Sequence, residues 1–276
     1  MKIALDSKAQ RITLSYLSSK ETFLIEHGRI IMKTLLIALL SFILSATAMA
    51  DGKNINYTVN GKSYQGYYVS PSAGAPLVLL IHDWDGLTDY EIKRANMLAD
   101  MGYSVFAADL FGAGVRPTQI EDKRQHTGEL YKDRGKMRNL LTGALDTAKA
   151  QGAKTSNAVV MGYCFGGAAV LEMARSGINM KGFVTFHGGL ATPEGQNYSK
   201  AKGKFLIMHG SADTAIPLTQ FASLATELEA SGVQHEMITY SGAPHAFTVF
   251  DQESYRQDAD KKSWQRFTEF LSDVTQ

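Results

Sequence analysis

One short segment does most to fix what this chain can fold into. Val159-Val160-Met161-Gly162-Tyr163-Cys164-Phe165-Gly166-Gly167 runs from an apolar strand through a tight turn into a small-residue helix start. The pattern Gly-x-Cys-x-Gly is that of a nucleophile elbow, with cysteine where serine is more usual. Its spacing has a steric cause: strand and helix pass close on either side of a strained residue, and glycines two before and two after remove the Cβ atoms that would collide. Such a turn commits the chain to a strand–turn–helix unit with the sulfur at the C-terminal end of a sheet. There it lies at a helix N-terminus, whose dipole favours thiolate over thiol. Taken alone, a cysteine is more often buried and inert; the turn around it argues for a chemical use.

The segments on either side extend the same architecture. Residues 56–70 alternate about Asn60-Gly61, a hairpin signal. Continuous apolar runs at 77–81, 104–108, 158–163, 182–186 and 204–208 read as strands buried on both faces. Helical spacing covers 88–101, 121–150, 165–175, 218–230 and 255–271, and a further strand is expected at 235–240. Alternating strands and helices predict an α/β fold: a mostly parallel sheet with helices on both faces, preceded by an antiparallel hairpin, in one domain over 51–276. Ligands bind such sheets beyond the strand C-termini, so the informative residues are those that follow strands.

Two more loops qualify. The strand ending at Met208 runs into His209-Gly210-Ser211-Ala212-Asp213-Thr214-Ala215-Ile216-Pro217, and the strand ending at Tyr240 runs into Ser241-Gly242-Ala243-Pro244-His245-Ala246-Phe247. The order nucleophile, acid, histidine (Cys164, Asp213, His245) is the chain order of the α/β-hydrolases. Each residue type has a task in acyl transfer. Cys164 attacks a carbonyl, His245 moves the proton, and Asp213 fixes the histidine tautomer and steadies the imidazolium.

Gly162-Tyr163-Cys164-Phe165-Gly166-Gly167, the Gly-x-x-Asp-x-x-x-Pro run from Gly210 to Pro217 and Gly-x-x-His-x-Phe from Gly242 to Phe247 together resemble the dienelactone hydrolase family over most of residues 56–272. The resemblance implies an α/β-hydrolase fold and hydrolysis of a small ester or lactone through an acyl-thioester on Cys164. It also implies a nucleophile-activating carboxylate at Asp83 in His82-Asp83-Trp84-Asp85-Gly86-Leu87, where better-studied members carry glutamate. The oxyanion hole, on the same basis, would be the backbone N–H groups of Phe165 and Trp84. Family members bind a substrate carboxylate with arginines; Arg116 matches one of those positions, and the other reads Val249. Trp84, Tyr163 and His82 are expected to wall or shape the pocket. Two other readings stay open: an acyltransferase or thiol peptidase on the same scaffold, and an exported binding or sensor protein with a dead site.

Composition excludes other classes. The 28 basic and 27 acidic residues nearly cancel, which offers nothing to nucleic acid or a polyanion. The sequence has no CxxC, HExxH or Cys/His cluster, so neither metal nor cofactor is expected. Met32-Lys33-Thr34, the apolar run Leu35 to Leu44 and Ala48-Met49-Ala50 form the three parts of a signal peptide over 32–50. Residues 1–31 then read as a start called too early. The expected product is periplasmic or secreted, with no stable membrane span after cleavage. Six of the basic and three of the acidic residues lie in 1–50, leaving a formal charge of −2 on the rest. With a single cysteine, the exported chain has no internal disulfide.

Overall fold

The structure is a computed structural model that describes residues 52–275; the expected signal peptide and the segment before it lie outside the described residues. Fourteen elements follow in the order β1 (Lys53–Val59), β2 (Lys62–Val69), β3 (Pro76–Ile81), α1 (Asp89–Asp100), β4 (Ser104–Ala108), α2 (Ile120–Lys132), α3 (Arg134–Ala150), β5 (Lys154–Tyr163), α4 (Phe165–Arg175), β6 (Asn179–Phe186), β7 (Lys202–Gly210), α5 (Leu218–Ala230), β8 (His235–Tyr240) and α6 (Gln257–Thr275). The strands form one sheet in the order β1-β2-β4-β3-β5-β6-β7-β8. β1 and β2 form the antiparallel hairpin, closed by Asn60 and Gly61 at positive φ. β2 pairs antiparallel with β4, and every pair from β4 to β8 is parallel.

Period-two alternation of side chains divides the core. On β3, Leu77, Leu79 and Ile81 face a layer built from α2, α3, α4 and α5, with Leu130, Leu140, Val170 and Leu224 in the same cluster. Val78 and Leu80 face the opposite layer, against Leu98 of α1 and Phe267 of α6. These five of the six β3 side chains are fully buried, which is why the central strands read as unbroken apolar runs.

The helical stretch expected over 121–150 is two helices. Asp133 breaks it with a non-helical backbone (φ −111°, ψ 82°), and its carboxylate accepts from Lys136 N at 2.8 Å as the N-cap of α3. Helical periodicity carries across such a break without showing it, and an aspartate cap is visible only once its partner N–H is known. β5, β6 and β7 begin two to four residues before their apolar runs and α6 runs on to Thr275, while α1 falls just inside 88–101. No helix among the described residues is long and apolar enough to cross a membrane.

Candidate active site

β5 delivers Cys164 to the C-terminal edge of the sheet at φ 51° and ψ −111°, a left-handed backbone for a non-glycine residue. The turn is over-determined by main-chain bonds. Cys164 N donates to Phe186 O at 3.1 Å, and Cys164 O accepts from Gly167 N at 3.1 Å and Gly189 N at 3.2 Å. The glycines are required by contact: a Cβ at Gly162 would strike the main chain of Gly166, and one at Gly166 would lie 2.6 Å from His82 O. Strand β3, turn and helix α4 therefore meet backbone to backbone, as the sequence spacing requires.

β7 and β8 bring in the other two loops. His245 Nε2 lies 3.1 Å from Cys164 Sγ, and His245 Nδ1 lies 2.8 Å from Asp213 Oδ2. The second Asp213 oxygen accepts from Ala215 N at 2.9 Å and Ile216 N at 2.8 Å, which fixes the carboxylate against its own loop. Burial raises the Asp213 carboxyl, but the bond from His245 and the N–H of Ile216 outweigh it and hold the group below its ordinary value. Burial of His245 would by itself drive its proton off. Bonds to Asp213 and to the sulfur outweigh that and raise it from 6.5 to about 10, so the ring holds its proton through neutral pH.

Cys164 and His245 open on a cleft of about 290 Å³, with Asp213 behind the histidine and off its lining. Trp84, Tyr131, Phe165 and Ile216 supply its apolar walls, and Asp83 lies on its surface with Cys164 and His245. Asp83 Oδ1 accepts from Asp85 N at 2.8 Å, and among the described residues no hydrogen bond joins it to Cys164. Burial raises Asp83 to about 6, against the pull of the Asp85 N–H and the nearby charges of Lys123 and His245. The N–H groups of Phe165 and Trp84 make no hydrogen bond among the described residues, and both residues line the cleft.

The structure places three expected pocket residues elsewhere. Tyr163 is fully buried, with its ring against Tyr90 and Phe186 at 5.0 Å. His82 is also buried. Its Nδ1 donates to Asp83 O at 2.6 Å and its Nε2 accepts from Leu110 N at 3.1 Å, while burial lowers it to about 4 and leaves it neutral. Arg116 donates to Val115 O at 2.7 Å and lies 3.8 Å from Asp109, away from the cleft lining. Val249 is buried.

Other contributors gave little signal in sequence. Tyr131 and Gln252 line the cleft from a helix and a loop whose packing no short motif reveals. Behind His245, Thr248 anchors the histidine loop. Its hydroxyl bonds His187 Nε2 at 2.9 Å and Tyr90 Oη at 2.7 Å, and its carbonyl accepts from Arg94 Nη2 at 2.8 Å. Arg94, almost wholly buried, also holds Asp260 of α6, and the His187 ring packs edge-on against His245 at 5.3 Å. This tie joins residues more than 150 positions apart, which is why only the folded chain displays it.

A mostly parallel sheet with helices on both faces, and a strained cysteine where its central strand turns into a helix, define an α/β-hydrolase. The dienelactone hydrolase family model matches residues 64–275. The chain belongs to the dienelactone hydrolase family, and it is an enzyme of the hydrolase class. It is 26% identical to a Synechocystis protein named "Putative carboxymethylenebutenolidase" over 239 residues, covering 78% of this chain and 95% of the relative. A Salmonella typhimurium protein of the same name is 24% identical over 225 residues, with coverages of 77% and 83%. Among solved structures, a dienelactone hydrolase-like promiscuous phosphotriesterase from metagenomic libraries superposes with a TM-score of 0.78 at 26% identity, covering 83% of this chain and all of that one.

Proposed function

We propose that this enzyme hydrolyses small carboxylic esters or lactones through an acyl-thioester on Cys164. The observation that carries the proposal is the continuous contact from Cys164 Sγ through His245 to Asp213, at 3.1 and 2.8 Å, opening on one cleft. The Cys164 thiolate adds to the carbonyl carbon, and the carbonyl electron pair moves to oxygen. The N–H groups of Phe165 and Trp84 hold that oxyanion; each such donor is typically worth about 3 kcal/mol of transition-state stabilisation. Collapse expels the alkoxide, which takes the proton from His245 Nε2. Neutral His245 then removes a proton from water, hydroxide adds to the thioester, and the thiolate leaves. Asp83 assists through its charge near His245, since its carboxylate is bonded to Asp85 and makes no bond to the sulfur. The signal-peptide pattern before Asp51 supports an activity outside the cytoplasm.

Two measurements test the proposal. Cys164→Ala should abolish hydrolysis of p-nitrophenyl esters while leaving the melting temperature near wild type. Iodoacetamide should label Cys164 in the folded protein and stop turnover in proportion. Full activity in the alanine variant, or a thiol that labels only after denaturation, would overturn it.

A further inference from the structure

We propose that the cleft selects uncharged substrates, namely neutral esters or lactones with a small apolar or aryl acyl part, and discriminates against substrates that carry a carboxylate. The inference rests on the hydrolase reading above and concerns what that site admits.

At about 290 Å³ the cleft lies at the small end of the roughly 300–1,000 Å³ usual for ligand pockets. Its walls are aromatic or aliphatic, and among the described residues no lysine or arginine lines it. The fixed anionic group on its surface is the Asp83 carboxyl, and the one cation on the lining, protonated His245, is already paired with Asp213 and in contact with the Cys164 sulfur.

Cations do touch these walls, but each is already committed. Lys123 Nζ lies 5.1 Å from the Trp84 ring centroid and 2.6 Å from Asp85 Oδ1. Arg134 lies 4.8 Å from the Tyr131 ring centroid and 3.7 Å from the buried Glu172. Arg116 does not reach the lining and is turned to Asp109. Recruiting Lys123 or Arg134 would break the ion pair each already makes, although Glu172 would keep Arg138 and Arg175. An anion that enters an apolar cleft without a cation is disfavoured, so a substrate carboxylate would have to remain in water or enter unpaired.

The test uses a matched pair, mono-p-nitrophenyl adipate and its methyl ester, which share acyl length and leaving group and differ in one charge. The expected result at pH 7.5 is kcat/KM at least 30-fold higher for the methyl ester. Gln252→Arg, at an exposed position on the cleft lining, should narrow that ratio at least tenfold by supplying the missing cation. Equal kcat/KM for the two substrates in wild type, or a ratio unmoved in Gln252→Arg, would overturn the selectivity while leaving the hydrolase reading intact. Failure to turn over either substrate, with p-nitrophenyl acetate also inert, would instead overturn the reading on which the selectivity rests.

Discussion

Asp213→Asn separates the electrostatic work of the carboxylate from its structural work. Asparagine retains one acceptor oxygen, which can stay on the N–H groups of Ala215 and Ile216 at 2.9 and 2.8 Å, so the loop should hold its shape. The amide NH₂ would then face His245 Nδ1, where a carboxylate oxygen now sits at 2.8 Å. A donor facing Nδ1 selects the tautomer with its proton on Nε2, the nitrogen that must act as base during deacylation. The energetic scale follows from the imidazole. Raising it from 6.5 to about 10 corresponds to about 5 kcal/mol of preference for the protonated ring, shared between Asp213 and the sulfur. Loss of the carboxylate half, about 2–3 kcal/mol, should lower kcat for p-nitrophenyl butyrate by about 30- to 150-fold with little change in KM. The alkaline limb of the kcat/KM profile, set by loss of the His245 proton, should move to lower pH as the carboxylate that raises the ring is lost. A variant with wild-type kcat, or with reduced kcat and an unmoved alkaline limb, would refute the reasoning.

Three further predictions follow from the surrounding structure. Arg94→Met leaves Asp260 buried without its partner and should cost about 3–5 kcal/mol in urea unfolding, with part recovered when Asp260→Leu is added; a loss under 1 kcal/mol would contradict the pairing. Gly166→Ala drives a methyl into the main-chain carbonyls of Ile81 and His82, which cannot yield as a side chain would. It should destabilise the fold by at least about 1–3 kcal/mol, and unchanged thermal unfolding would show that the elbow has slack. Burial raises the Glu172 carboxyl, but Arg175 at 2.8 Å and Arg138 at 2.6 Å outweigh it and hold the group below 4.5. Its contribution to stability is therefore complete above pH 4.5 and lost as pH falls through its folded value. Glu172→Gln should flatten the acid limb of a melting-temperature profile, and an unaltered limb would assign acid sensitivity elsewhere.

The sheet and the three loops at its edge were legible in sequence for a common reason. Strands buried on both faces become unbroken apolar runs, and the turns that follow them hold residues chosen for chemistry or for backbone shape. The Gly162 and Gly166 spacing could be read because contact between main chains leaves one residue type. The break at Asp133 is not legible in sequence because a cap interrupts a helix without interrupting its apolar period. Tyr163 and His82 looked like pocket walls because they adjoin Cys164 and Asp83 in the chain. Tyr163, however, is the last residue of β5 and its side chain joins the α1 and α6 layer, while Trp84 and Phe165, the neighbours on the other side of Asp83 and Cys164, line the cleft. Tyr163 accordingly packs against α1 and β6 side chains, and His82 turns inward to brace the β3 and β4 loops. The tie through Thr248, Tyr90 and Arg94 was invisible because its members have no common motif and meet only when α1 packs beside the histidine loop.

The most direct test of the account is the mass of the enzyme during turnover. Enzyme mixed with p-nitrophenyl pivalate, whose hindered acyl group slows attack by water, should release one equivalent of p-nitrophenol in a burst. After acid quench it should carry one pivaloyl group on the peptide containing Cys164. Steady consumption of the ester with that peptide unmodified, or with the acyl group on another side chain, would contradict it.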